Sequence, residues 1–199
     1  DPTPAHWKDL IPETENVITP VVAGKYILTH YMKDAISEVK QYDFEGKFIR
    51  EIKLPALGTV TLESAKEEEN ESYFSFENFY TPSSIYKLHL EKGDTELYWA
   101  PKMDFNPNDF ESKQVFYTSK DGTKVPMIIT YKKGTPLDGT APATLYGYGG
   151  FNSITYPYFG VSIAVWMNNG GVYATANIRG GGEYGKKWHD AGTKFQKQN

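Results

Sequence analysis

Tyr146-Gly147-Tyr148-Gly149-Gly150-Phe151-Asn152 places two tyrosines and three glycines at the end of a β-favourable run, Ala143 to Tyr148. Glycines let the backbone turn sharply and approach another group closely. A loop of this kind, after an early strand of an α/β sheet, can supply one hydrogen-bond donor to the oxyanion of an acyl-transfer reaction. A tyrosine hydroxyl can replace the backbone N–H in that role. Taken alone, packing is the simpler role for both tyrosines.

Three other groups of residues invite chemistry and support it less well. Gly180-Gly181-Gly182-Glu183-Tyr184-Gly185 fits G-x-G-x-x-G, but Asn177-Ile178-Arg179 separates it from the preceding strand. A dinucleotide loop follows its strand almost directly and needs an acidic residue about 20 positions on. The loop therefore reads as architectural, and no cofactor is expected. Gly160-Val161-Ser162-Ile163-Ala164 resembles a nucleophile elbow. An elbow needs a strand before it, and Tyr156-Pro157-Tyr158-Phe159 is a poor one, so Ser162 reads as the first turn of a helix. His189 and Asp190 are adjacent, which on a helix turns their side chains about 100° apart, so Asp190 is badly placed to orient the His189 ring. His6, His30 and His89 are scattered without metal-ligand spacing, and no metal is expected.

Composition removes further classes. The 199 residues contain no cysteine, which excludes disulfides, thiolate zinc sites and a cysteine nucleophile. Such a chain suits cytosol or periplasm equally, so the compartment is open, while mean hydropathy and 23% charged residues fit a soluble globular protein. The longest apolar run, Phe159 to Met167, falls far short of the roughly 20 residues of a membrane helix. The start at Asp1 is expected of a processed chain or of a piece of a longer one. Net charge is −4, divided into −9 over residues 1–110 and +5 over 111–199, which suggests two units. The lysines of the basic half are dispersed, which disfavours a nucleic-acid partner.

The elements that must position these residues fall into two organisations. Over 1–110, short β-favourable runs (Tyr26–Tyr31, Val39–Tyr42, Phe48–Ile52, Tyr73–Phe76, Ile85–Leu90 and Glu96–Trp99) are bounded by Gly, Pro, Asp and Ser. Ser37 to Tyr42 superimposes on Ser83 to Leu88 with an offset of about 46 residues, the period of propeller blades with about four strands each. From Gln114 the pattern changes. Strands Gln114–Ser119 and Lys124–Tyr131 flank Asp121-Gly122, a hairpin signal. Strand Ala143–Tyr148, a helix around Gly160–Asn168, strand Val172–Ala176 and a short helix opening at Trp188 follow. This is α/β organisation, with sites at the carboxyl ends of strands.

Tyr146 to Asn152, Asn177 to Gly185 with Trp188-His189, and Ser119 to Met127 together resemble the prolyl oligopeptidase family in identity, order and separation. The resemblance is strong over about 112–199 and architectural over 1–110. It implies a mixed fold: residues 1–110 as the last two blades, or most of them, of a seven-bladed β-propeller, and 111–199 as the first part of an α/β-hydrolase domain. It also implies that the Tyr148 hydroxyl is an oxyanion-hole donor and that Phe151 lines the pocket for the substrate proline ring. The family cleaves short peptides after proline by acyl transfer through a Ser-Asp-His triad, and its propeller restricts access to peptides. Its nucleophile lies in a Gly-Gly-Ser-Asn-Gly-Gly elbow, which these residues do not contain. The chain alone is thus expected to be inactive, with the rest of the polypeptide as its first partner and the complete enzyme a monomer. Two alternatives stay open: an oligopeptidase of the same fold cutting after basic residues, and a non-catalytic propeller-based binding module.

Overall fold

The computed structural model describes residues 3–198. Its first half is two antiparallel meanders. The first contains β1 (Val17–Ala23), β2 (Tyr26–Lys33), β3 (Ile36–Tyr42) and β4 (Phe48–Ile52), in that spatial order. The second contains β5 (Thr59–Leu62), β6 (Glu71–Glu77), β7 (Ser84–His89) and β8 (Thr95–Trp99). The repeat read from the sequence is the sheet-to-sheet repeat, with β2–β4 corresponding to β6–β8. β1 and β5 carry no expectation above. β1 has Pro20 in its middle, tolerated at an edge position, and β5 is only four residues long.

Side-chain alternation decides which face each strand buries. β3 and β6 alternate buried and half-buried positions, as strands between two layers do. Their inward residues meet in one core of Leu28, Val39, Ile52, Val60, Phe74, Phe76, Leu88 and Leu90. Burying a side chain of this size is worth about 1.5–3 kcal/mol. Polar bonds stitch the same interface. Gln41 is fully buried and donates through Nε2 to Leu90 O at 2.6 Å. Ser37 Oγ accepts from Val60 N at 3.1 Å and lies 2.8 Å from His30 Nε2. Burial lowers the His30 pKa.

The second half is one mixed sheet in the order β11-β12-β10-β9. β9 (Phe110–Thr118) and β10 (Lys124–Lys132) form the hairpin around Gly122, whose φ is +88°. β9 begins four residues ahead of the expected Gln114. β12 (Val172–Ala176) runs antiparallel to β10 and parallel to β11 (Ala143–Gly147), with Gly147 opposite Ala176. The parallel pair is joined through α1 (Val161–Asn168), which buries Ile163, Ala164 and Met167 and packs on β10 and β12. The second short helix, α2, covers Gly185–Asp190, so Trp188 sits inside it rather than opening it.

A second core joins the halves. Phe79 and Tyr80, just after β6, pack with Phe110, Ile128, Ile163, Met167 and Tyr173. Among the described residues four side-chain hydrogen bonds link the meanders to the second half across the same seam, one of them from Gln114 Nε2 to Asp34 O. Thr59 Oγ1 donates to Pro157 O at 2.6 Å, Phe159 N donates to Glu77 Oε2 at 3.1 Å, and Tyr184 Oη donates to Asp34 Oδ1 at 2.5 Å. Asp34 and Ala35 form the β2–β3 turn with φ of +51° and +67°.

Candidate active site

β11 and β12 end together, and the chain that leaves each end builds the site. Tyr148 follows β11 directly, half exposed. Its ring lines a cavity of about 540 Å³ with Tyr146, the segment Ser153 to Tyr158, and Thr59 and Glu77 from the second meander. One wall therefore comes from the mixed sheet and the other from a neighbouring meander. The chain next turns through Gly149 at φ +58°, then Phe151 at +53° and Asn152 at +56°. Two consecutive non-glycine residues in the left-handed region are strained, by about 1–3 kcal/mol each, and such strain concentrates where geometry serves function.

The loop after β12 is the mould for this turn. A Cβ on Gly180 would lie 2.2 Å from Gly149 O, and one on Gly182 would lie 2.6 Å from Asn152 O. Asn152 N donates to Gly180 O at 3.1 Å. His189 Nδ1 lies 2.7 Å from the same carbonyl and 3.1 Å from Asn152 N, at the junction of the two loops. Asp190 binds Lys186 Nζ at 2.7 Å instead of orienting His189. Ser162 stands exposed in the first turn of α1. These two placements agree with the sequence reading. Gly180–Gly185 is a close-packed backbone loop against another loop, as its architectural reading expects.

Arg179 anchors the mould from behind. Its guanidinium, nearly buried, grips Asp121 in the β9–β10 turn through both nitrogens and reaches Ser119 Oγ at 3.1 Å and Thr123 Oγ1 at 3.2 Å. The bond from Arg179, and then that from the Thr123 backbone, hold the Asp121 carboxyl down to about 2. Fork-to-carboxylate pairing of this kind fixes direction as well as distance.

Phe151 is placed apart from Tyr148. It is 90% exposed and lines a different concavity, with His189, Lys194 and Lys197. Sequence reasoning missed Glu77, Thr59, Asn177 and Glu183. Glu183 is fully buried, its Oε1 accepting from Thr155 N at 3.1 Å and Asn177 Nδ2 at 3.3 Å. Its only sequence signal, an acidic residue next to three glycines, does not tell a buried carboxyl from an exposed one. Among the described residues no group of three or more His, Asp or Glu could hold a metal ion, and no helix is long and apolar enough to cross a membrane.

Residues 1–101 match the model for the prolyl oligopeptidase N-terminal beta-propeller domain, and residues 157–199 match that for the prolyl oligopeptidase family. The chain belongs to the prolyl oligopeptidase family. It is 54% identical over its whole length to a prolyl endopeptidase of Elizabethkingia miricola and spans 28% of that relative. Against a prolyl endopeptidase of Dictyostelium discoideum it is 40% identical, with 97% of this chain and 26% of the relative covered. Among solved structures, one from a study of two prolyl endopeptidases and their inter-domain dynamics superimposes with a TM-score of 0.87. Identity there is 44%, covering 99% of this chain and 29% of the other. Prolyl oligopeptidase B from Galerina marginata, bound to a 35mer hydrolysis and macrocyclization substrate, gives 0.85 at 31% identity, covering 96% and 28%. The two meanders thus belong to the N-terminal propeller, and α1, β12 and α2 lie in the stretch that matches the prolyl oligopeptidase family, at the start of the hydrolase domain.

Proposed function

We propose that this chain is the part of a serine endopeptidase that supplies half of an oxyanion hole and one wall of the substrate cleft. The complete enzyme hydrolyses short peptides on the carboxyl side of proline through an acyl-enzyme. Residues 1–110 then serve as propeller and 111–199 as the first part of the peptidase domain. The observation that carries this reading is the position of Tyr148. It leaves the carboxyl end of a parallel strand pair, where α/β folds place ligands, and faces a cavity closed on its far side by a blade. Its hydroxyl is the donor for the carbonyl oxygen as that oxygen gains charge. The triad Ser, Asp and His belong to the remainder of the enzyme, since no Gly-x-Ser-x-Gly elbow occurs in these residues. By itself the chain is catalytically silent.

The blade wall, Thr59 and Glu77, narrows the cleft to extended peptides, and Phe151 offers a flat apolar surface to a proline ring. Tyr148→Phe in the complete enzyme should lower kcat by about 100-fold, the loss typical of one oxyanion donor, with KM little changed. An unchanged kcat would remove Tyr148 from the mechanism. Reporter peptides ending in proline or in arginine decide the specificity. Preference for arginine would replace the prolyl reading with an oligopeptidase for basic residues.

A further inference from the structure

Thr155 is held from both sides by fully buried side chains. Its N–H donates to Glu183 Oε1 at 3.1 Å, and its carbonyl accepts from Asn177 Nδ2 at 2.8 Å. Asn177 is itself fixed to the sheet, its N–H donating to Pro126 O at 3.0 Å in β10. Asn177 Nδ2 also reaches Glu183 Oε1 at 3.3 Å, so the three residues form one connected cluster. A carboxyl buried to this degree is costly to keep, by several kcal/mol unless hydrogen bonds offset it. Packing alone would be served better by an apolar side chain of equal size. What the carboxyl holds is a peptide in Ser153 to Tyr158, the stretch that faces Tyr148 across the cavity. A glycine makes this possible. A Cβ on Gly181 would stand 2.2 Å from Glu183 Oε2 and 2.9 Å from Ser153 O, so the loop lies flat under the segment it holds.

We infer that Glu183, with Asn177, is a positioning residue for peptide hydrolysis: it fixes the Ser153–Tyr158 wall at the distance from Tyr148 that the substrate carbonyl requires. The inference rests on the peptidase reading above, because a wall needs a reaction to position. Displacing a reacting group by about 1 Å can cost about 100-fold in rate. The wall acts on the substrate through one peptide unit, so the effect is smaller, about 10–100-fold.

The test uses the full-length enzyme with Glu183→Gln and Glu183→Met. Glutamine keeps the acceptor for Thr155 N–H, and methionine keeps the volume without it. Turnover of a proline reporter is divided by the active sites that a fluorophosphonate labels, so loss of folded protein does not count. Backbone amide exchange over 153–158 is followed in parallel. The expected result is kcat per labelled site within about threefold of wild type for glutamine and 10–100-fold lower for methionine, with faster exchange only in the latter. Should the methionine variant fail to fold, Asn177→Ser releases Thr155 O instead and carries the same expectation at about 3–10-fold. Unchanged kcat per labelled site in the folded variant, or unchanged exchange, overturns the inference. A wild-type enzyme that neither turns over the reporter nor takes the label sinks the peptidase reading instead, and amide exchange then still decides whether Glu183 holds the segment.

Discussion

Removing the Tyr184 hydroxyl should weaken, without abolishing, the hold of the hydrolase half on the β2–β3 turn, which Gln114 Nε2 also grips through Asp34 O. The hydroxyl donates to Asp34 Oδ1 at 2.5 Å, while the Tyr184 ring stays packed on Trp188 with centroids 4.8 Å apart. Tyr184→Phe therefore deletes one charge-assisted hydrogen bond and little packing. Such bonds are worth about 1.5–3 kcal/mol, and both groups are only half-buried, which favours the lower end, about 1.5 kcal/mol. A double-mutant cycle with Asp34→Asn isolates the pair, read by urea unfolding of the chain. With a slope near 3 kcal/mol per molar, that coupling is a midpoint shift of about 0.5 M. The pH dependence gives a second handle. Burial, and then the Asp34 bond and charge, raise the Tyr184 pKa well above its ordinary value of 10. The coupling is thus complete below pH 10 and is lost as pH rises through the raised folded value. A coupling under about 0.3 kcal/mol at pH 8, or one that persists unchanged to the highest attainable pH, refutes the reasoning.

Two further outcomes follow from the mould beneath the Tyr148 loop. Gly149→Ala places a Cβ 2.7 Å from Arg179 O at a φ of +58°, whereas Gly122→Ala at +88° meets nothing within 4 Å. Both carry the cost of a left-handed alanine, about 1 kcal/mol, but Gly149→Ala should destabilise by at least about 1 kcal/mol more, measured as a difference in denaturation midpoint. The Asp121–Arg179 pair should make stability sensitive to acid. With the folded pKa held near 2 against 3.8, its contribution is present above pH 3.8 and lost as pH falls through 2. Comparing acid unfolding of wild type and Asp121→Asn, the variant's curve should be flatter in that window, and parallel curves would count against the pair.

The fold was legible where side chains alternate and turns carry glycine. Val39 and Ile85 fall in corresponding strands, β3 and β7, but Val39 is buried and Ile85 exposed, so the 46-residue offset finds the strands and misses their faces. Legibility failed where burial comes from a partner sheet. Pro20 hides β1, and β5 after Gly58 is too short for a period to show. Asp34 reads as the end of a run, and only the structure shows it to be a tight turn made without glycine that reaches Tyr184. At the site, the glycines around Tyr148 mark a close approach but not what approaches. Glu183 and Asn177 lie in the Asn177–Gly185 block that carries the family resemblance, but nothing local marks them as buried ties, since the peptide they hold lies 28 and 22 residues away.

The seam between blade and hydrolase halves has a consequence for the order in which the molecule assembles. Its four side-chain bonds join residues 150, 98, 82 and 80 apart in the chain. Loop-closure entropy rises by only about 0.6 kcal/mol per doubling of length, so whichever bond forms first meets nearly the same cost. The Thr59–Pro157 and Glu77–Phe159 bonds are near neighbours at both ends, so once one has formed the other closes only a short residual loop, whereas the Asp34 contacts lie farther out along the chain and close separately. The blade-wall part of the seam thus closes as one event after the local meanders exist, and it reopens the same way. Seating of the blade wall against the Tyr148 cavity is then all-or-none rather than graded: a peptide meets either a complete cleft or an open one.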